Sequence, residues 1–141
     1  MLRILLVEED EAVRAGLRAW LALDPDLTVV GEAADGVQAL VQVRVHRPQV
    51  VVMNIDVPLL NGPATAEVLR ATWPRCVVVL FRVAGTSFPA GVVNLSHAPA
   101  DIFNAIHAAG GRTARLREAA PEVGRLNRWS PVPRSIWPAR R

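Results

Sequence analysis

Short runs of apolar residues alternate along the chain with longer segments in which apolar residues recur every three or four positions. The runs cover residues 3–7, 27–30, 50–53, 76–80 and 91–93. Continuous apolar runs of this length, bounded by polar or turn-forming residues, are typical of strands buried on both faces of a parallel sheet. The pattern therefore predicts five strands.

The segments between the runs carry the spacing and the end signals of helices. We predict helices over residues 11–23, 36–47, 63–73 and 101–109. Two consecutive glycines, at positions 110 and 111, are expected to end the last helix. In the second helix the spacing of Val37, Leu40 and Val41 indicates the face that packs inward.

Strands that alternate with helices predict βαβ units with right-handed crossovers. The fold class that fits is α/β: a flavodoxin-like, doubly wound sheet of five parallel strands in the order 2-1-3-4-5. One connection is too short, because only residues 81–90 separate the fourth and fifth strands, whereas a parallel crossover needs about a dozen residues. We therefore expect a shortened or missing fourth helix and one flank of the sheet without its cover.

Charge divides the chain into a domain over residues 1–110 and a basic tail over residues 111–141. All 16 basic residues are arginines, and eight of them lie after Gly111 against two glutamates. No apolar run approaches the ~20 residues that span a bilayer. The first run ends at once in acidic residues, unlike a signal peptide. We expect a cytoplasmic protein with no membrane partner, in which the single cysteine, Cys76, is a buried thiol.

Three short motifs carry a resemblance to a known family. They are LLVEED at residues 5–10, GEAADG at 31–36 and MNIDVPLLNG at 53–62. In this order they resemble the receiver domain of bacterial two-component response regulators, and they look closest to receivers that precede helix-turn-helix output domains. The resemblance covers residues 2–109. It implies a signalling domain that is switched by phosphorylation of an aspartate at the end of the third strand.

In that family two acids after the first strand and the phosphoacceptor aspartate hold Mg²⁺, while a Thr or Ser and a Lys bind the phosphoryl oxygens. The resemblance places Glu8 and Glu9 at the acidic pair, Asn54 at the phosphoacceptor, Phe81 at the Thr/Ser position and Leu95 at the lysine. An amide is not a nucleophile, and neither Phe nor Leu can bind a phosphoryl oxygen. These departures indicate a degenerate pseudo-receiver.

Few other residues suggest chemistry. Glu8, Glu9 and the neutral Asn54 supply few charged ligands, so they are weak candidates for a metal site, and we expect neither Mg²⁺ nor another cofactor. The three histidines have no partner at ligand spacing, and we expect no enzyme activity. One alternative is a receiver that is phosphorylated on a non-standard acid such as Asp56.

The tail interleaves aromatic residues with arginines, among them Trp129, Trp137, Arg125 and Arg128. Aromatic rings can stack on bases while arginines bind phosphates, so nucleic-acid binding through the tail is a second alternative. A different interpretation places the tail, or a second subunit, over the flank of the sheet that lacks a helix.

We therefore predict an atypical stand-alone receiver-like protein without a separate output domain. It is expected to act in signal transduction or transcriptional regulation through protein–protein contacts, independently of phosphorylation. The resemblance implies that the face around the fourth and fifth strands and the last helix is where ordinary receivers form dimers. We expect a protein partner, with a homodimer through this face as one form of the contact.

Overall fold

Five parallel strands form one sheet in the order β2-β1-β3-β4-β5, with helices on both faces. The computed structural model describes residues 1–85 and 89–118, with side chains described up to residue 111. The strands are β1 Leu2–Val7, β2 Leu27–Ala33, β3 Val50–Asn54, β4 Val77–Arg82 and β5 Val93–Asn94. The helices are α1 Glu11–Leu21, α2 Gly36–His46, α3 Gly62–Thr72 and α4 Asp101–Glu118. The predicted fold class and strand order are confirmed.

Side-chain caps determine where the first three helices begin. Asp10, Asp35 and Asn61 each accept a hydrogen bond from the backbone N–H three residues further along, at 2.7 to 3.0 Å. Such caps satisfy N–H groups that have no partner inside the helix. Because the three capping residues follow β1, β2 and β3, they hold the start of each helix beside the carboxyl edge of the sheet.

The central strands are buried on both faces. Residues 4–7 of β1, 50–53 of β3 and 77–81 of β4 are at most 1 % exposed. An unpaired polar side chain within such a segment would cost free energy, and these buried segments are apolar throughout. The polar side chains that follow β1 and end β3, Glu8 and Asn54, therefore stand at the carboxyl edge of the sheet.

The inward face that we predicted for helix α2 is wrong for Val37 and Val41, whereas Leu40 is partly buried and packs against the core. Val37 and Val41 are 49 % and 54 % exposed, whereas Gly36 and Ala39 are buried. A Cβ atom added to Gly36 would lie 1.9 Å from the backbone oxygen of Leu60. The helix approaches the loop after β3 closely, so Gly36 and Ala39 face inward together with Val43, while Val37 and Val41 face outward.

Helix α4 continues past the end that we predicted for it at Gly110 and Gly111, and runs to Glu118. Gly110 is buried, and a Cβ atom there would lie 2.4 Å from Cδ1 of Leu2. This glycine therefore permits close packing of α4 on β1 and does not end the helix. Neither α4 nor any other helix within residues 1–85 and 89–118 has the length and apolar character needed to cross a membrane.

The connection between β4 and β5 has no helix in the part that the structure describes, residues 83–85 and 89–92. The missing fourth helix is thus confirmed for those residues. The uncovered flank that we expected is not found over β4, because the apolar side chains of that strand are buried. Val83, Val92 and Leu95 are partly buried and pack against the core there. These side chains, near the β5 edge, are of intermediate exposure.

We expect Gly36→Ala to lower the free energy of unfolding by about 1–3 kcal/mol, because its Cβ would overlap the backbone of Leu60. Gly16→Ala, on α1, is the matched control. A Cβ there meets no atom within 4 Å, so the higher helix propensity of alanine should stabilise the protein by up to about 1 kcal/mol. Urea denaturation of both variants measures the difference. Equal midpoints would contradict the close packing of α2.

Candidate functional site

The candidate site lies at the carboxyl edge of the sheet, where β1 and β3 end side by side. The two strands pair in register up to Val7 and Met53, so the residues that follow, Glu8 and Asn54, are neighbours. Nδ2 of Asn54 donates a hydrogen bond to Oε1 of Glu8 at 2.8 Å. Open α/β sheets bind ligands at this edge, so the contact stands where chemistry is expected.

The carboxylate of Glu8 is buried and has two neutral donors. Only 5 % of this residue is exposed. Its Oε2 accepts a hydrogen bond of 2.9 Å from the backbone N–H of Asp10, while Oε1 accepts the one from Asn54. A buried carboxylate needs such donors because it has lost its hydration. Glu9, the second residue of the acidic pair, is exposed.

The amide of Asn54 is used at both ends. Its Nδ2 donates to Glu8, and its Oδ1 accepts a hydrogen bond of 2.9 Å from the backbone N–H of Asp56. The site therefore offers Mg²⁺ one buried carboxylate, whose two oxygens already accept N–H groups. This arrangement does not fit a Mg²⁺ site, because Mg²⁺ prefers several oxygen ligands with at least one or two carboxylates free to coordinate it.

Phe81 and Leu95 are the apolar residues at the positions where the family has a Thr or Ser and a Lys. Phe81 pairs with Asn54 across β3 and β4 and is 0 % exposed. Leu95 follows β5, is partly buried and packs against the core. Both side chains thus belong to the hydrophobic core and add neither a hydroxyl nor a cation to the site.

An ion pair that sequence reasoning missed lies at the same edge. Arg82 binds the carboxylate of Asp56 through two hydrogen bonds, from Nε to Oδ2 at 2.9 Å and from Nη2 to Oδ1 at 3.0 Å. These hydrogen bonds raise the pKa of Arg82 above its usual value. A signal was available, because Arg82 and Asp56 follow predicted strands by two and three positions, and neighbouring parallel strands end at one edge. The pair gives Asp56 a bidentate cationic partner.

A second ion-pair group borders the site. Glu32, on β2, accepts hydrogen bonds from Nε of Arg14 at 3.1 Å and from Nη1 of Arg18 at 2.7 Å. Nη1 of Arg14 also donates to the backbone oxygen of Glu8 at 2.7 Å. The two arginines therefore tie α1 to β2 and to the loop that carries Glu8.

His107 has a partner that the sequence did not indicate, because 83 positions separate the two residues. Its Nε2 lies 2.7 Å from Oδ2 of Asp24. This hydrogen bond lowers the pKa of Asp24 below its usual value. The candidate tail residues, Trp129, Trp137, Arg125 and Arg128, lie outside the described residues.

Comparison with known proteins places the chain among signalling domains. It is 33 % identical over 139 residues to a protein-glutamate methylesterase/protein-glutamine glutaminase of Nitrosospira multiformis, a match that covers 92 % of this chain and 39 % of that protein. It is 28 % identical over 129 residues to the nitrate/nitrite response regulator protein NarL of Escherichia coli K12, covering 85 % of this chain and 60 % of NarL. The chain thus spans between two fifths and three fifths of the length of these curated relatives.

The first of these relatives corrects one prediction. We expected no enzyme activity, and the relative is named as an enzyme, which contradicts that expectation. The match covers 39 % of that enzyme and falls on its receiver domain. A domain of this kind therefore occurs within an enzyme.

A solved structure and a family model agree with this placement. The crystal structure of a two-component response regulator of the LuxR family from Aurantimonas sp. SI85-9A1 superposes with a TM-score of 0.71 at 28 % identity, covering 79 % of this chain and 86 % of that one. Residues 4–94 match the model of the response regulator receiver domain. This chain belongs to the response regulator receiver domain family.

Proposed function

We propose that this chain is a receiver domain that takes no phosphoryl group at the usual position and acts through protein–protein contacts. The observation that carries the proposal is the hydrogen bond of 2.8 Å from Nδ2 of Asn54 to Oε1 of Glu8. It puts a neutral amide donor where the resemblance implies a nucleophilic carboxylate.

This hydrogen bond stabilises the negative charge of the Glu8 carboxylate, which a bound metal ion would otherwise do. An aspartate at the end of β3 would set two carboxylates against each other, and like charges at such a distance need a cation between them. The amide N–H of Asn54 instead stabilises the buried carboxylate of Glu8. The carboxylate of Glu8 then has hydrogen-bond donors without an ion or a phosphoryl group. The amide of Asn54 is not a nucleophile and does not attack phosphorus.

The side chains of Phe81 and Leu95, at the positions of the Thr/Ser and the Lys of the family, support the same proposal. A switch needs a group that contacts the phosphoryl oxygens in one state and not in the other. Phe81 is fully buried in the core, and Leu95 packs against it. Neither side chain can make such a contact. The state of this protein would then be set by a partner or a ligand, in signal transduction or transcriptional regulation.

The β5 edge is the surface that we propose for the protein partner, with a second copy of this chain as its occupant. Within residues 1–85 and 89–118, β5 pairs with β4 and its other edge pairs with no strand. Val92, Val93 and Leu95 are partly exposed there. Two copies related by a twofold axis would bury these apolar side chains against each other, since a twofold interface uses the same patch on both subunits.

We expect no covalent phosphoryl adduct when the full chain is incubated with acetyl phosphate and Mg²⁺, because Asn54 offers no carboxylate. Intact-protein mass spectrometry measures the adduct, and a receiver domain with an aspartate at this position serves as the positive control. A stable adduct on this chain would contradict the proposal. If Asp56→Asn abolished that adduct, Asp56 would be the acceptor.

We expect Asn54→Asp to lower the free energy of unfolding by about 1–3 kcal/mol in the presence of a chelator, because it removes a donor from buried Glu8 and adds a like charge. Mg²⁺ should raise the melting temperature of this variant more than that of the natural chain. Asn61→Asp is the matched control: Asn61 caps α3, and asparagine and aspartate cap helices equally well. Equal stability of Asn54→Asp and the natural chain would count against the proposed role of the amide.

We expect the chain to sediment as a dimer whose dissociation is favoured by Val93→Arg, because a charge at the β5 edge would be buried without a partner. Val45→Arg changes an exposed valine of α2, 66 % exposed, and should leave the dimer intact. Sedimentation equilibrium measures the mass. A monomer at every micromolar concentration would contradict the homodimer.

A further inference from the structure

A cavity of about 360 Å³ lies at the edge of the sheet opposite to Asn54. It is formed where α2 and α3 end and where β4 begins. Six of the residues that line it are Val43, Arg47, Pro48, Trp73, Arg75 and Cys76. Its volume is near the lower end of the range of small-molecule sites, roughly 300–1,000 Å³. A ligand of one or two rings fits this space better than a larger cofactor does.

The rim of the cavity is cationic. The side chains of Arg47 and Arg75 are exposed, and within residues 1–85 and 89–111 no carboxylate forms an ion pair with either of them. No aspartate or glutamate lines the cavity. Two guanidinium groups without a carboxylate create a positive potential that attracts anions, and their planar donors match carboxylate and phosphate oxygens.

One wall of the cavity is aromatic. The guanidinium carbon of Arg47 lies 5.6 Å from the centroid of the Trp73 ring, at the distance of a cation–π contact. The backbone of Arg47 has φ of 48°, in the left-handed region that favours glycine or asparagine at the end of a helix. An arginine in this strained conformation places a charge beside a ring, and such strained residues cluster at binding sites.

The floor of the cavity is apolar and rigid. Val43 is 1 % exposed and Cys76 5 % exposed. Burial raises the pKa of the Cys76 thiol to about 12, so the thiol is neutral at physiological pH. Pro48 and Pro74 fix the backbone on either side, because proline restricts φ to a narrow range. The site is therefore formed before any ligand binds, which lowers the entropic cost of binding.

We propose that this cavity binds a small organic anion that carries a flat ring, with the carboxylate or phosphate group held by Arg47 and Arg75 and the ring placed against Trp73. The anionic group and the ring are the two features that the rim and the wall recognise. The inference does not rest on the proposed function, because the cavity and the Asn54 site lie at opposite edges of the sheet.

Titration of the ¹⁵N-labelled full chain tests the inference, with the indole N–H signal of Trp73 as the readout. The variant Trp73→Phe assigns that signal among the four tryptophans. Benzoate and adenosine monophosphate are the charged probes, and benzamide and adenosine are their neutral counterparts. We expect a charged probe to shift the Trp73 signal and to bind at least about tenfold more tightly than its neutral counterpart, since charged hydrogen bonds are the stronger ones. Tighter binding of benzoate indicates an aromatic acid as the ligand, and tighter binding of adenosine monophosphate a nucleotide.

Arginine variants locate the binding site. Arg75→Gln and Arg47→Gln should each weaken binding of the charged probe about tenfold, as expected for the loss of one charged hydrogen bond. Arg44→Gln, on the exposed side of α2 and outside the cavity lining, is the matched control and should bind as the natural chain does. Melting temperatures confirm that each variant is folded. No shift of Trp73 with millimolar benzoate or adenosine monophosphate, or an equal loss in Arg44→Gln, would overturn the inference.

Discussion

The burial of β1, β3 and β4 on both faces of the sheet is the constraint on which the rest of the structure depends. Strands that are at most 1 % exposed over their central residues can carry no functional polar group along their length. All polar chemistry is therefore confined to the two edges at which the strands begin and end. The carboxyl edge holds Glu8, Asn54 and the Arg82–Asp56 pair, and the amino edge holds the arginines around Trp73.

At the carboxyl edge, a hydrogen bond from the neutral amide of Asn54 to the carboxylate of Glu8 joins the ends of β3 and β1. Asn54 and Glu8 satisfy each other with one donor and one acceptor, and the remaining acceptors take backbone N–H groups. Each oxygen of the buried carboxylate thus has one hydrogen-bond donor, which offsets part of the cost of its burial. Arg82 adds a charge at this edge, and its bidentate contact directs that charge to Asp56.

Much of the fold could be predicted from the sequence, because apolar runs and turn residues are local signals. Strand order, the missing fourth helix and the location of Glu8 and Asn54 all follow from those signals together with the resemblance. The faces of α2 could not be predicted, since they depend on how closely Gly36 approaches Leu60, which is a contact across the fold. The predicted end of α4 was also wrong. Gly110 packs on Leu2, and the spacing of residues along the sequence does not reveal such a contact.

At the candidate site, too, residue identities could be predicted from the sequence and contacts between distant side chains could not. The identities of Asn54, Phe81 and Leu95 can be read from the sequence, and the proposal that the chain takes no phosphoryl group at the usual position starts from them. The Arg82–Asp56 pair and the Arg47–Trp73 contact could not be read directly, because each joins residues that are 26 positions apart and on different elements. Side-chain geometry, and not residue type, makes these contacts specific.

The outward valines of α2 have a consequence for motion. Val37, Val41 and Val45 are β-branched residues that favour the helix weakly and, on the exposed side, gain little from burial. Helix α2 is held by its cap at Asp35, by buried Ala39 and Val43, and by Leu40, which is partly buried against the core. Backbone amide hydrogens of a helix exchange with solvent when the helix opens locally. Opening would carry Val43 and Arg47 away from the cavity, so the rate at which amide hydrogens of α2 exchange with solvent reports directly on whether that cavity is intact.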